Sequence, residues 1–235
     1  MSDRVPAARA AARSGSGSRR SVKISVRESV FQSLMTLLMD LDLEPGTKLS
    51  IDGLARQLDV SQTPVREALA RCESEGLVVR RPNAGYQVAP LLDRSGLDDL
   101  YDIRLLLEPT ATERAARHAN AAELADMHRT LERMTPPLRG DTYESYRDFA
   151  ELDAAFHNAI AEASRSPLMA DTLRRFRAHN HSYRLYFRHS IAGEAVDEHR
   201  AVLDAVRARD PQAAAQAMRD HLEASRLRLT TAYDS

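Results

Sequence analysis

The sequence predicts a mainly α protein: an N-terminal winged helix-turn-helix followed by an antiparallel six-helix bundle. Three observations predict this. Residues 22 to 88 read as three apolar-striped helices and then two short strands around a Pro-Asn-Ala-Gly turn. From Ser95 onward every segment carries helical spacing, with no strand signal and no internal repeat. The composition, 43% hydrophobic and 29% charged over 235 residues, is that of a globular chain with room for one large or two modest domains.

The first helix is expected within 22–44, where Val26, Val30, Leu34, Leu37, Leu38 and Leu41 recur at helical spacing until Pro45-Gly46 stops them. Ser50 then caps a short helix with Leu54, Ala55 and Leu58 inward, and Asp59-Val60 makes a tight turn. A third helix starts at Ser61 or Thr63, both suited to N-capping, with Pro64 in its first turn. Val65, Leu69 and Cys72 form its buried stripe, and Gly76 suits the position after its end. The hairpin follows in LVVRRPNAGYQV, residues 77–88. Beyond it, helices are expected near 96–118, 121–134, 143–163, 167–190, 194–209 and 211–232. Their breaks fall at Asn120, Pro136-Pro137, Ser166-Pro167, Gly193 and Asp210-Pro211, and Pro109 is expected to kink the first. The domains are thus a disordered basic tail at 1–21, a winged domain at 22–92 and an all-helical domain at 95–232.

Charge and cysteine content narrow the setting. Arg4, Arg9, Arg13, Arg19 and Arg20 face only Asp3 in the first twenty residues. That composition suits a disordered tail, a basic arm following DNA phosphates or a transit peptide, in that order. Lys23 and Lys48 are the two lysines, so arginine carries the positive charge. One cysteine, Cys72, excludes an internal disulfide and suits a reducing cytoplasm. No apolar run approaches the ~20 residues of a membrane span, so no membrane partner is expected.

The stretch VSQTPVREAL, residues 60–69, opens a helix on Ser61, Gln62, Thr63 and Arg66, with no acidic residue before Glu67. Hydroxyls, an amide and a guanidinium at a helix start are the groups that touch phosphates and base edges in the major groove. The bland alternative is that Ser61 and Thr63 only cap and Arg66 is solvated. Residues 44–88 resemble the DNA-binding domain of the GntR family of bacterial repressors. The resemblance rests on PG-x-x-L, L-A-x-x-L, V-S-x-T-P-V-R-E-A-L, E-G-L-V and G-x-x-V at the family's spacing. It implies that Thr63 and Arg66 touch an operator with Gln62 reading or bridging, and that Asn83, Ala84 and Gly85 bring the wing tip to the minor groove; Ser61 joins the DNA contacts from the chemistry of the helix start. Three residues depart from the family pattern: Gln62 for arginine, which shifts base preference toward adenine, Asp59 for glycine and Cys72 for leucine.

In the helical region Asp153 and His157 are four residues apart and share a helix face, while His199 and His221 fall on two other helices. A carboxylate with three imidazoles suits a divalent ion, zinc first, with nickel, manganese or iron as alternatives. On spacing alone the signal is weak, since a lone histidine is more often a surface or satisfied core residue. Residues 96–229 resemble the FCD effector domain of the FadR subfamily, on D-x-x-F-H, E-H-R and H-L, and the six-helix count resembles its shorter, VanR-like branch. That resemblance implies that Asp153, His157, His199 and His221 are metal ligands beside an effector. It gives no role to His118, His128, His179, His181 or His189.

Arg104 lies four residues before Glu108 and is read either as an exposed ion pair or as a buried arginine holding an effector carboxylate. Asn180 and Arg184 are further effector candidates. The resulting expectation is a homodimeric regulator, a repressor by resemblance, binding a palindromic double-stranded operator under control of a small organic acid. The same residues admit a metal-responsive regulator or a metal-dependent enzyme fused to a winged domain. No separate general base or nucleophile motif supports the enzyme.

Overall fold

The computed structural model describes residues 25–82, 84–134, 143–186 and 192–233. The basic tail, Asn83 and the Pro136-Pro137 break lie outside them.

Three helices open the chain: α1 (Val26–Met39), α2 (Ile51–Gln57) and α3 (Gln62–Ser74). Ser25 caps α1 by accepting from the Glu28 amide at 3.2 Å, and Ser50 caps α2 through the Gly53 amide at 3.1 Å. α1 stops at Met39, earlier than Pro45-Gly46 suggests, because Leu41 turns left-handed at φ 61°. Asp59 and Gly76, at φ 52° and 73°, close the turns before and after α3. Strands β2 (Val78–Arg81) and β3 (Gly85–Val88) form the wing hairpin. A two-residue strand β1 (Lys48–Leu49) adds to β3 to make an antiparallel sheet of order β1-β3-β2. The sequence reading missed β1, which is too short to show alternation. Leu34, Leu38, Val65, Leu69, Cys72, Leu77 and Val88 fill the core of this part. Burial pushes the Cys72 thiol up to about 12.

Seven helices follow: α4 (Arg94–His118), α5 (Ala121–Arg133), α6 (Tyr143–Ala163), α7 (Pro167–Phe176), α8 (Ala178–Tyr186), α9 (Ala192–Arg207) and α10 (Pro211–Tyr233). The fourth of the six expected helices is therefore divided, because Arg177 adopts φ 49° and ψ 37° between α7 and α8. α9 begins at Ala192, so Gly193 lies inside it rather than at a break. α4 stays helical through Pro109. A second core of Leu97, Tyr101, Met127, Phe156, Ile160, Val202, Met218 and Leu222 joins these helices, with α4 packed most heavily on α10. The two parts touch directly. Tyr143, at the start of α6, is buried in the winged core, and its amide donates to Asp40. Among the described residues no helix is long and apolar enough to cross a membrane.

Candidate functional site

His157 on α6, His199 on α9 and His221 on α10 come together in the helical core, each less than a tenth exposed. One ring nitrogen of each lies within 4.8 Å of those of the other two. His157 Nε2 and His199 Nε2 are 3.2 Å apart, and Asp153 Oδ1 lies 3.9 Å from the former and 3.3 Å from the latter. All four expected ligands thus converge, although they come from three helices.

Carboxylates behind the rings set their tautomers. His157 Nδ1–H donates to Glu108 Oε2 at 2.5 Å, and His221 Nδ1–H donates to Glu198 Oε2 at 2.8 Å. Both therefore offer the Nε2 lone pair to the centre, the arrangement that orients imidazole ligands around a cation. His199 Nδ1 is buried with no partner among the described residues. Bringing lone pairs and a carboxylate oxygen together in a buried space is unfavourable unless a proton or cation lies between them. The donor set, nitrogen-rich with one carboxylate, fits a first-row divalent ion.

The electrostatics agree. Burial holds His199 well below the ordinary imidazole range, with the neighbouring His221 adding to it, and burial lowers His221 too. Both are therefore neutral lone-pair donors at pH 7. Asp153 resists burial: the hydrogen bond from His179 and the adjacent imidazoles keep its carboxyl well below the usual range. Glu198 is held near 2, since the bonds from Arg228 and His221 outweigh its burial.

This sets a pH dependence for the metal-free protein. In the unfolded chain His199 and His221 take up protons near pH 6.5, whereas in the folded chain burial opposes it. The unfolded state therefore binds more protons below that value, and stability is lost as pH falls through it. The melting temperature is expected to drop steadily from pH 7 to pH 5. Carboxylates such as Glu198 add their own loss only below about pH 4.5. A melting temperature that stays flat between pH 7 and 5 contradicts this assignment.

A cleft of about 580 Å³, counted to its mouth in solvent, adjoins the cluster. Arg104, Tyr146, Phe149, Asp153, Ser182 and His221 are among its lining residues. The ion pair expected of Arg104 with Glu108 is present, but buried rather than exposed. Arg104 is 4% exposed, its Nε donates to Glu108 Oε1 at 2.6 Å, and it faces the cleft. The guanidinium lies over the Tyr101 ring at 5.2 Å, and among the described residues its terminal nitrogens make no hydrogen bond.

Ser61, Gln62, Thr63 and Arg66 are all exposed at the start of α3. Ser61 is the N-cap by position but makes no side-chain capping bond, so its hydroxyl is not spent on the helix. Gln62 Nε2 donates to Asp52, and Gln62 Oε1 accepts from Arg66 at 3.2 Å. Reading adenine with the Gln62 amide therefore requires exchanging both of these bonds. Gly85, at φ 77° with open space around it, lies at the described edge of the wing tip.

Residues 26–88 match the family described as bacterial regulatory proteins, gntR family, and residues 99–224 match the FCD domain. The chain belongs to the GntR family. It is a transcriptional regulator with an FCD domain, not an enzyme. A putative L-lactate dehydrogenase operon regulatory protein of Escherichia coli is 30% identical over 212 residues, covering 79% of each chain. The Uxu operon transcriptional regulator of Escherichia coli is 29% identical over 218 residues, covering 82% of each. The solved Escherichia coli McbR/YncC has the same fold, with a TM-score of 0.67 at 22% identity over 89% of this chain and 99% of that one.

Within this GntR-family architecture Asn180 and Arg184, the other effector candidates, do not line the cleft. Asn180 Nδ2 donates to the backbone oxygen of Glu75 at 2.9 Å, and Arg184 donates to the carbonyls of Ala89 and Pro90 at 2.9 and 3.5 Å. Both grip the winged part instead. Conversely, the sequence reading passed over His179, whose Nδ1–H donates to Asp153 Oδ2 at 2.7 Å. It also passed over Glu198, and took Glu108 only as a partner for Arg104. Glu198 directly precedes His199 in the sequence, yet it serves His221, a pairing that only the packing of α9 on α10 produces.

Proposed function

We propose that this regulator binds a palindromic double-stranded operator as a homodimer, and that a small carboxylate bound beside a divalent metal releases it. The observation that carries the reading is the convergence of His157, His199, His221 and Asp153 at a cleft that also presents the buried Arg104. The four residues would hold the ion, zinc first, with nickel, manganese or iron also suited to the donors. The ion would supply open coordination positions for carboxylate oxygen. Arg104 would fix the same carboxylate by charge-assisted hydrogen bonds. Tyr146 and Phe149 would cover its carbon skeleton. The Escherichia coli relative is named for an L-lactate dehydrogenase operon, and lactate is a small hydroxycarboxylate, which makes that class the first to try.

Ser61, Gln62, Thr63, Arg66, Asn83 and Gly85 are the proposed DNA contacts. Two copies of α3 related by a two-fold axis would meet half-sites about one helical turn apart, or a multiple of it. Selection from a random duplex pool, followed by sequencing, tests this directly. An enriched palindrome supports the dimeric reader, and enrichment of a single half-site sinks it.

The carboxylates behind the rings give a further test of the metal. In Glu198→Gln, His221 loses an anionic acceptor while Arg228 remains nearby. Zinc affinity is expected to fall about 10–100-fold, as read by competition with a chromophoric chelator. Unchanged affinity in the folded variant removes Glu198 from the support of the site.

A further inference from the structure

The nine-residue helix α8 has two faces that meet different parts of the molecule. One faces the histidine cluster and its cleft: His179 holds Asp153 Oδ2, and Ser182, almost one turn later, lines the cleft with its hydroxyl buried and unpartnered among the described residues. The other holds the winged part at two places. Asn180 Nδ2 donates to the Glu75 backbone oxygen at 2.9 Å and to its carboxylate at 3.3 Å. Arg184 donates to the carbonyls of Ala89 and Pro90. Arg177, at the break that starts α8, donates from Nε to the Ser74 oxygen at 3.2 Å and lies 3.4 Å from Glu75 Oε2. Glu75 is the C-cap of α3, and Ala89-Pro90 is the exit from the wing.

We infer that α8 transmits occupancy of the metal and acid site to the reading helix, with Asn180 as the output contact on α3. The inference rests on the metal-and-carboxylate reading above. Its physical core is the shared carboxylate of Asp153. Oδ1 faces His157 and His199, and Oδ2 accepts from His179. Because the two oxygens belong to one rigid carboxylate, a change in what Oδ1 meets would re-aim Oδ2 and with it His179 and the helix that carries it. Arg177 is a non-glycine residue in left-handed conformation, the kind of strained backbone that persists where surrounding contacts over-determine it and that concentrates at switch regions. Transmission requires only that zinc favour one placement of α8 over another.

The test is hydrogen exchange on the full-length protein, metal-free and with zinc alone, with zinc stoichiometry measured on the same samples. In wild type, zinc is expected to slow exchange across 178–186 and also at 73–77, the latter by about fivefold or more, the low end of ordinary coupling between sites. Asn180→Asp removes the donor and sets a charge against Glu75. It is expected to bind zinc as wild type does, to keep the slowing at 178–186 and to lose it at 73–77. Should that variant fail to fold, Asn180→Ala removes the donor without adding charge and takes its place. Stoichiometric zinc with unchanged exchange at 73–77 in wild type overturns the transmission and leaves the metal centre standing. Slowing at 73–77 that survives in the Asn180 variant overturns Asn180 as its route. Failure of wild type to bind zinc overturns both this inference and the metal reading beneath it.

Discussion

Replacing His199 by alanine is expected to abolish stoichiometric zinc binding and the thermal stabilisation that zinc confers. His199 is fully buried and lies within 3.3 Å of both His157 Nε2 and Asp153 Oδ1, so it sits at the centre of the donor set. Losing a supporting carboxylate costs about 10–100-fold in affinity, and losing a ligand should cost more. A ligand present at about 100 times its dissociation constant stabilises the folded state by roughly 2.7 kcal/mol. For a chain of this size that is a rise of about 5–10 °C in melting temperature. Wild type is expected to show that rise on adding zinc, and His199→Ala to show none at the same zinc concentration. Metal content and differential scanning fluorimetry read both quantities. Full zinc occupancy in the folded variant would take His199 out of the site.

Replacing Arg66 by alanine is expected to weaken binding to the selected operator by about 1–3 kcal/mol, roughly 5- to 150-fold, if its guanidinium reads a base. Arg66 is exposed on the first turns of α3, and its one hydrogen bond among the described residues goes to Gln62, its neighbour in the reading set. A base contact also relaxes sequence preference at one position of each half-site. A phosphate contact instead weakens all sequences alike and reduces the salt dependence by about one counterion. Arg117→Ala, on the exposed surface of α4 and paired with Glu113, is the control that should leave operator binding unchanged. Unchanged affinity in Arg66→Ala contradicts its role.

The winged part was legible in the sequence because its signals are local. Ser50 at the start of α2 and Gly76 after α3 each mark a backbone requirement that few residues satisfy. The boundary at Arg177 was not legible. Apolar spacing runs on through Phe176, and a left-handed arginine carries no signature in a single sequence; it is held by Ser74 and Glu75, a hundred residues away in the chain. His179 carried no motif signal, and the bonds of Asn180 and Arg184 to the winged part join residues about a hundred positions apart, which helical spacing does not report. The four clustered residues were named from family resemblance, since i,i+4 spacing could pair Asp153 with His157 but could not bring α9 and α10 to them. Glu108 and Glu198 act across helix–helix contacts, which no periodicity reports.

If the cleft beside the histidine cluster controls DNA binding, operator affinity changes with what the cleft holds. Fluorescence anisotropy of the selected operator tests it most directly, with protein stripped by chelator, loaded with zinc, and loaded with zinc plus L-lactate or one of a panel of hydroxycarboxylic acids. Tight binding is expected with zinc, weakened about fivefold or more by at least one acid, and Arg104→Met, which keeps the bulk but removes the donors, is expected to abolish the response to the acid. Operator affinity that is identical in all three states, with zinc bound and the protein folded, would contradict it.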